Sequence, residues 1–322
     1  MLSDKLFGRA EMMAVRDGFG DGLFELGRRD KRVVVLTGDV KESTRVERFA
    51  NAYPDRFIEC GVAEQNMMGI AAGLAAAGKI PFVSAYAVFS PGRNWDQLRV
   101  SVAYSNLHVI IGGAHTGVSV GPDGATHQAL EDLAITRVIP NLTVVVPADY
   151  WEAKKATEEA AELKGPVYIR LTREKTPVIT RKESPFKIGR AETVRGNGRD
   201  AVIAACGPIL YEAVMAAEQL SAEGIGVRVI NNHTIKPLDR EVILTAAREC
   251  GAVVTAEDHQ VAGGMGSAVC ELLAQHWPVP VEMVGINDSF GESGTPEELA
   301  EKYGLKAKNI VRAVKKVIER KE

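Results

Sequence analysis

Four cysteines are spread over 322 residues, at Cys60, Cys206, Cys250 and Cys270, and none stands in a CxxC pair. That scatter argues against a disulfide framework or a thiolate zinc site and suits reduced thiols in a cytosolic protein. No stretch approaches 18 consecutive apolar residues, so no membrane-spanning helix is expected. The N-terminus, "MLSDKLFGRAEMMAVRDG", is charged throughout and lacks the apolar core of a secretory signal. Neither sign of charge dominates: 39 Lys and Arg face 42 Asp and Glu, interspersed, for a formal net charge of −3. A nucleic-acid or membrane-surface protein would concentrate basic residues on one face, so both partner classes are set aside. A Walker A motif is missing as well. What remains is a soluble, cytoplasmic chain, 46% hydrophobic and long enough for two domains with sizeable cores.

Short β-branched runs alternate with helical patterns along the chain. "RVVVLTGD" (32–39), "IPFVSAY" (80–86), "HVIIGG" (108–113), "LTVVVPAD" (142–149) and "PVYIRLTR" (166–173) read as buried parallel strands. Helical patterns cover about 62–77, 93–105 and 150–163. Residues 174–199 are rich in Pro, Gly and basic residues and show no sustained period, which marks a linker with room for a short edge strand. A second βαβ series follows, with strands "DAVIAACG", "GVRVIN", "GAVVTAED" and "VPVEMVGIN" and a basic C-terminal helix. The expected fold is α/β with two doubly wound domains: residues 1–175, a linker over 176–199, and residues 200–322.

Four features invite a chemical reading. "GFGDG" (18–22) looks like the start of a diphosphate–magnesium motif, but it continues a helical pattern instead of following a strand, so packing is expected. "GGMGSAV" (263–269) opens a helix after a strand; tight helix–sheet packing or an anion at the helix start both fit. "GVAEQNMMGIAAGLAAAG" (61–78) places Glu64 at the mouth of a helix made of small apolar residues. A carboxylate there complements the helix dipole whether or not it has another task. The block "GGAHTGVSVGPDGATHQALEDLAITRVIPNLTVVVPAD" (112–149) leaves a buried strand as a loop bearing His115, Asp123 and His127. Loops at the carboxyl ends of parallel strands are where ligands bind. A metal facial triad, loop hydrogen bonding, and polar substrate recognition with proton transfer all remain open for these three residues.

"GPDGATHQALEDLA", then Arg137 and "PNLTVVVPAD", resembles the pyrimidine-domain signature of transketolases, and the similarity spans the whole chain. The chain is identified as resembling the C-terminal section of a split transketolase, a pyrimidine-binding domain followed by the transketolase C-terminal domain. The resemblance implies thiamine diphosphate as cofactor, and Mg²⁺ held by a separate N-terminal, diphosphate-binding section, with no metal ligands in this chain. It implies an α₂β₂ complex with homodimer contacts and transfer of a two-carbon ketol unit between sugar phosphates in the pentose phosphate pathway. On the same basis Glu64 hydrogen-bonds N1′ of the aminopyrimidine and promotes ylide formation. A carboxyl group in an apolar pocket holds its proton more tightly than in water and can share it with a ring nitrogen. Phe89 and Tyr86 stack on the pyrimidine, and Asp39 is a cofactor-proximal acid. His115 and His127 contact substrate and serve catalysis, and Asp123 binds a sugar hydroxyl. Arg16, Ser43 and Arg173 grip the substrate phosphate.

"FSPGRNW" (89–95) departs from the usual transketolase stretch and is similar to 1-deoxyxylulose-5-phosphate synthase, which places Arg93 toward the site. That synthase and the β subunit of a 2-oxo-acid dehydrogenase are the nearest rival readings; "ALEDLA" and "PNLTVVVPAD" favour transketolase. A non-catalytic binding module, the rival from another class, has no need of Glu64 or the two histidines.

Overall fold

Strands buried on both faces need apolar side chains in both directions. Val33–Thr37, Ile80–Tyr86, Ile110–Ala114 and Val167–Arg170 are buried throughout, except for the half-buried Tyr86 at a strand end. In the computed structural model, which describes residues 2–321, these strands form the centre of a seven-stranded sheet. Its order is Thr234–Lys236, Thr143–Val145, Val167–Arg170, Ile110–Ala114, Ile80–Tyr86, Val33–Thr37, Phe57–Glu59. All neighbours are parallel except the first pair. Alternate residues feed opposite cores: Val33 and Val35 join Phe19, Phe82 and Ile110, whereas Val34 and Leu36 join Met67, Val83 and Ile111.

A second sheet runs Val281–Ile286, Val253–Gln260, Ala201–Ala205, Val227–Asn231, Glu192–Arg195. It is parallel apart from the last strand, the edge strand expected in the 174–199 segment. The architecture is α/β with two doubly wound units. Four short strands lacked a β-branched run to announce them: Met12–Ala14, Phe57–Glu59, Lys175–Pro177 and Thr234–Lys236. The helix expected over 93–105 is one α turn, Trp95–Gln97, running into a π-helical segment, Leu98–Tyr104. An unforeseen helix, Pro296–Lys302, starts from a capping box made by Thr295 and Glu298.

The glycine-rich stretches resolve into packing. A Cβ at Gly18 would overlap the Tyr150 carbonyl, and one at Gly20 the Arg45 carbonyl, so "GFGDG" lets the helix Val15–Arg29 press against its neighbours. At "GGMGSAV", Glu257 accepts the Met265 and Gly266 amides at 2.7 and 2.8 Å. The start of the helix Met265–His276 thus holds an anion of its own chain.

The segment between the two sheets is clamped. Asp149 caps the helix Tyr150–Ala160 through the Glu152 amide (3.0 Å) and also accepts the amides of Ile179 (2.8 Å) and Thr180 (2.5 Å). Glu152, fully enclosed, accepts the Ala148 amide at 2.8 Å and Asn231 Nδ2, from the second unit, at 2.6 Å. Burial, with neighbouring Asp149 adding to it, pushes the Glu152 carboxyl up to about 8. The folded-state value lies above the unfolded one, so folding favours the protonated form. That contribution is complete below about pH 4.3 and is lost as pH rises through about 8. Glu152→Gln removes the titration, and an amide flip at Asn231, whose Oδ1 is otherwise unpartnered, lets the new amide donate. The melting temperature of the variant relative to the parent is expected to move in the variant's favour between pH 5 and pH 9; a pH-independent difference in scanning calorimetry would contradict this.

Candidate active site

The carboxyl ends of the four central strands lie along one edge of the larger sheet, and the candidate residues cluster there. The helix Glu64–Ala76 follows the turn after Phe57–Glu59. Its small residues allow a close approach, and Met67, Met68, Ala71 and Ala72 are buried against the sheet. Glu64 is only 2% exposed. Asn94 Nδ2, fully buried, holds the Glu64 backbone carbonyl at 3.1 Å and Ser90 Oγ at 3.0 Å, fixing the helix start. The Glu64 carboxylate meets Arg93, whose Nη1 lies 2.7 Å from Oε2. Arg93 itself is 46% exposed and lies over the Phe89 ring at 4.7 Å. The arginine that the sequence directed toward the site therefore pairs with the candidate acid.

Tyr86 ends its strand and forms the centre of an aromatic group. Its ring stacks on His115 at 3.7 Å and lies nearly parallel to Phe89 at 6.1 Å, with an 18° tilt. His127 presents an edge to Phe89 and Tyr86 at 5.6 and 5.9 Å. His115 sits at the end of Ile110–Ala114 with a left-handed φ of 58° and is almost fully buried. Burial, with the Arg16 and Arg173 charges next, pushes its imidazole down to about 3. His115 is thus neutral at physiological pH, and its buried Nδ1 has no partner.

The polar side of the site is cationic. Arg16 Nη1 donates to the backbone carbonyl of Ser43 at 2.6 Å, so the contact is with Ser43's main chain. Arg16 is held below its ordinary value by burial and then by Arg45 and Arg173, and its Nε is buried without a partner. Arg173 Nη1 donates to the Val120 carbonyl at 2.8 Å and pairs with Asp123 at 3.2 Å. Arg45 completes this cluster of positive charge and was not singled out by sequence; it stands at φ 65°, pinned by Asp17 at 2.8 Å. Asp39, exposed at φ 63°, follows Gly38, where a Cβ would stand 3.9 Å from Glu64 Oε1. Among the described residues, no group of three or more His, Cys, Asp and Glu is arranged to hold a metal ion.

These groups fit the aminopyrimidine half of thiamine diphosphate: a buried carboxylate and flat ring faces stand close together at one sheet edge. The diphosphate half has no counterpart in "GFGDG", whose glycines are packed against backbone carbonyls.

Comparison with known proteins identifies the two domains. Residues 11–178 match the transketolase pyrimidine-binding domain and residues 189–310 the transketolase C-terminal domain. The chain is 45% identical to the 6-deoxy-6-sulfo-D-fructose transketolase subunit of a Clostridium species, over 95% of each chain. It is 38% identical to an apulose-4-phosphate transketolase subunit of Phocaeicola vulgatus, over 96% of this chain and 99% of that one. Against mouse transketolase-like protein 2 it is 42% identical over 99% of its own length but spans only 51% of that protein. A solved split-gene transketolase, described as an inactive β4 tetramer, superposes with a TM-score of 0.90 and 47% identity, covering 96% of this chain and all of that one. With both domains matched in order and full-length relatives of the same size, the chain belongs to the transketolase family.

Proposed function

We propose that this chain is the C-terminal subunit of a split, thiamine-diphosphate-dependent transketolase, moving a two-carbon ketol unit from a ketose phosphate to an aldose phosphate. The observation that carries the reading is the convergence at one sheet edge of buried Glu64, the Tyr86–Phe89–His115 aromatic group and the Arg16–Arg45–Arg173 cluster. The Mg²⁺ ligands are assigned to an N-terminal, diphosphate-binding partner section. The four thiols are free, which suits a reducing, cytoplasmic setting.

Bound here, the cofactor supplies the carbanion-stabilising chemistry. Glu64 holds and shares a proton at the ring nitrogen of the pyrimidine, exchanging its Arg93 contact for that hydrogen bond. Tyr86 and Phe89 offer flat faces to the ring, and Asp39 follows Gly38 on the Glu64 side of the site. His115, kept neutral, offers Nδ1 as a hydrogen-bonding atom for a substrate oxygen. His127 moves a proton at the substrate carbonyl oxygen, a task suited to imidazole near neutral pH. Asp123 accepts from a sugar hydroxyl. Arg16 and Arg173, with Ser43 beside them, bind the terminal phosphate, a dianion that relieves the crowding of like charges.

A similar split-gene protein is described as an inactive β4 tetramer, which supports a chain that self-associates but needs a partner. The purified chain is expected to show no ketol transfer alone, and activity is expected on mixing with the N-terminal section as an α₂β₂ complex. Robust turnover by the chain alone, in a coupled assay with light scattering, contradicts this reading.

Two substitutions separate the roles in the reconstituted complex. Glu64→Gln keeps the shape but removes the shared proton, so turnover and hydrogen–deuterium exchange at the cofactor's C2 are expected to fall by about 10²-fold or more, with little change in KM. Arg173→Ala removes a contact made in ground and transition states alike, and is expected to raise KM for phosphorylated sugars by roughly ten- to a hundredfold. Steady-state kinetics with C2 exchange decide: wild-type exchange in Glu64→Gln removes Glu64 from the mechanism.

A further inference from the structure

The loop carrying His115, Asp123 and His127 leaves the first domain's sheet, yet much of what shapes it comes from the second domain. Asp258, on the strand Val253–Gln260, accepts the Val118 amide at 3.0 Å, and the dipole of the next amide, Ser119, also favours its charged form. Gly117 stands at φ 75° with its open side against this carboxylate; a Cβ there would overlap the Asp258 oxygens. Further along, Gln128 Nε2 donates to the Glu292 carbonyl at 2.9 Å. At Gly124, also at φ 75°, a Cβ would come within 2.6 Å of Ser293 Oγ. From the first domain's side the loop is held by Arg173 on the Val120 carbonyl and by the Gly117 amide on the Ala129 carbonyl, at 2.8 and 2.9 Å.

The chemistry of these contacts is unequal. Gln128 and Ser293 add a neutral hydrogen bond and a steric limit. Asp258 offers a carboxylate to the Val118 amide, and a charge-assisted bond of that kind belongs to the stronger class. It acts three residues after His115 and five before Asp123, where a shift of the backbone swings both side chains. The glycine at 117 is the complementary half of the device: only a residue without a side chain admits the carboxylate so close while holding a left-handed φ.

We propose that Asp258 is a positioning residue, supplied by the C-terminal domain, that sets the placement of His115, Asp123 and His127 by fixing the Val118 amide. The inference rests on the reading of those three residues as substrate-contacting. It gives the C-terminal domain a part in the reaction, although Asp258 touches neither substrate nor cofactor.

The test uses the full chain and its reconstituted complex, with Asp258→Ala, Asp258→Asn and Gly117→Ala. In the full chain, backbone hydrogen exchange over residues 116–124 is expected to rise by about tenfold or more in Asp258→Ala. The rise should be smaller in Asp258→Asn, which keeps one acceptor oxygen, and the strands at 80–86 and 253–257 should be unchanged. In the complex, kcat/KM is expected to fall on the order of 10²-fold for a misplacement of about 1 Å. Thiamine diphosphate affinity should hold, because Glu64, Tyr86 and Phe89 lie outside the loop. Gly117→Ala is expected to reproduce the phenotype, and the double variant with Asp258→Ala should be no worse than either alone. Where Asp258→Ala fails to fold by circular dichroism, Asp258→Asn and Gly117→Ala carry the test. Wild-type exchange and kinetics in those two overturn the proposal, as does exchange raised uniformly over both domains. A wild-type complex inactive on every sugar phosphate sinks the proposed reaction instead, and the loop exchange still decides whether Asp258 sets the loop.

Discussion

Arg170 and Asp132 form an ion pair with almost no access to solvent, at 3% and 1% exposure, and both sheets are organised around it. Arg170 is the last residue of a central strand, Asp132 the first of the helix Asp132–Arg137. Their contact is two-pronged, Nε to Oδ2 at 2.8 Å and Nη2 to Oδ1 at 3.1 Å, and Tyr168 adds a third donor at 2.7 Å. The same Nη2 reaches the Asp258 carbonyl at 2.9 Å and so enters the second domain. His259 continues the seam: burial pushes it down to about 4, so it stays neutral and accepts the Leu133 amide at 3.1 Å. Buried ions of this kind hold only while every partner is present, since losing one strands a charge at a cost of about 3–5 kcal/mol. Through the Asp258 carbonyl the pair ties the first domain's strand end to the second domain.

The site beyond that seam is built on the opposite principle. Its groups are in reach of counterparts that the folded chain does not supply in full. Arg16 keeps a buried Nε unpartnered, His115 a buried Nδ1, and three arginines share one neighbourhood with acids only on their flanks. Glu64 has Arg93, but that partner arrives from solvent on a flexible stem and is 46% exposed. Unpaired buried polar atoms cost free energy in a folded chain, and Arg16 Nε and His115 Nδ1 are two of them.

Much of this was legible in the sequence because it is local. The five strands of the first half and the small-residue helix behind Glu64 announce themselves by β-branched runs and composition, and Ile80–Tyr86 coincides with its sequence boundaries. His115, Asp123 and His127 share one motif, so their joint placement on a strand-end loop needed no long-range information. What stayed hidden is non-local. Asp258 lies 140 residues from the amide it holds, and nothing in "VTAEDHQ" says which of its acids turns toward another domain. Arg45 and Asn94 act through a left-handed φ and a buried amide, neither of which has a periodic signature. The anion reading of "GGMGSAV" is right in kind only: an anion does sit at the helix start, but it is Glu257 of the same chain.

The strand Thr234–Lys236 belongs by sequence to the second half, yet it adds itself antiparallel to the first half's sheet beside Thr143–Val145. Detaching the second half would expose that neighbour as a raw edge, with unpaired amides and carbonyls open to pairing with other chains. It would also uncover apolar surface, because Val144 and Val146 share one core with Ile230 and Ile235. The two halves thus share one sheet edge and one core, and a break within residues 178–234 would leave each fragment with an interface it cannot satisfy.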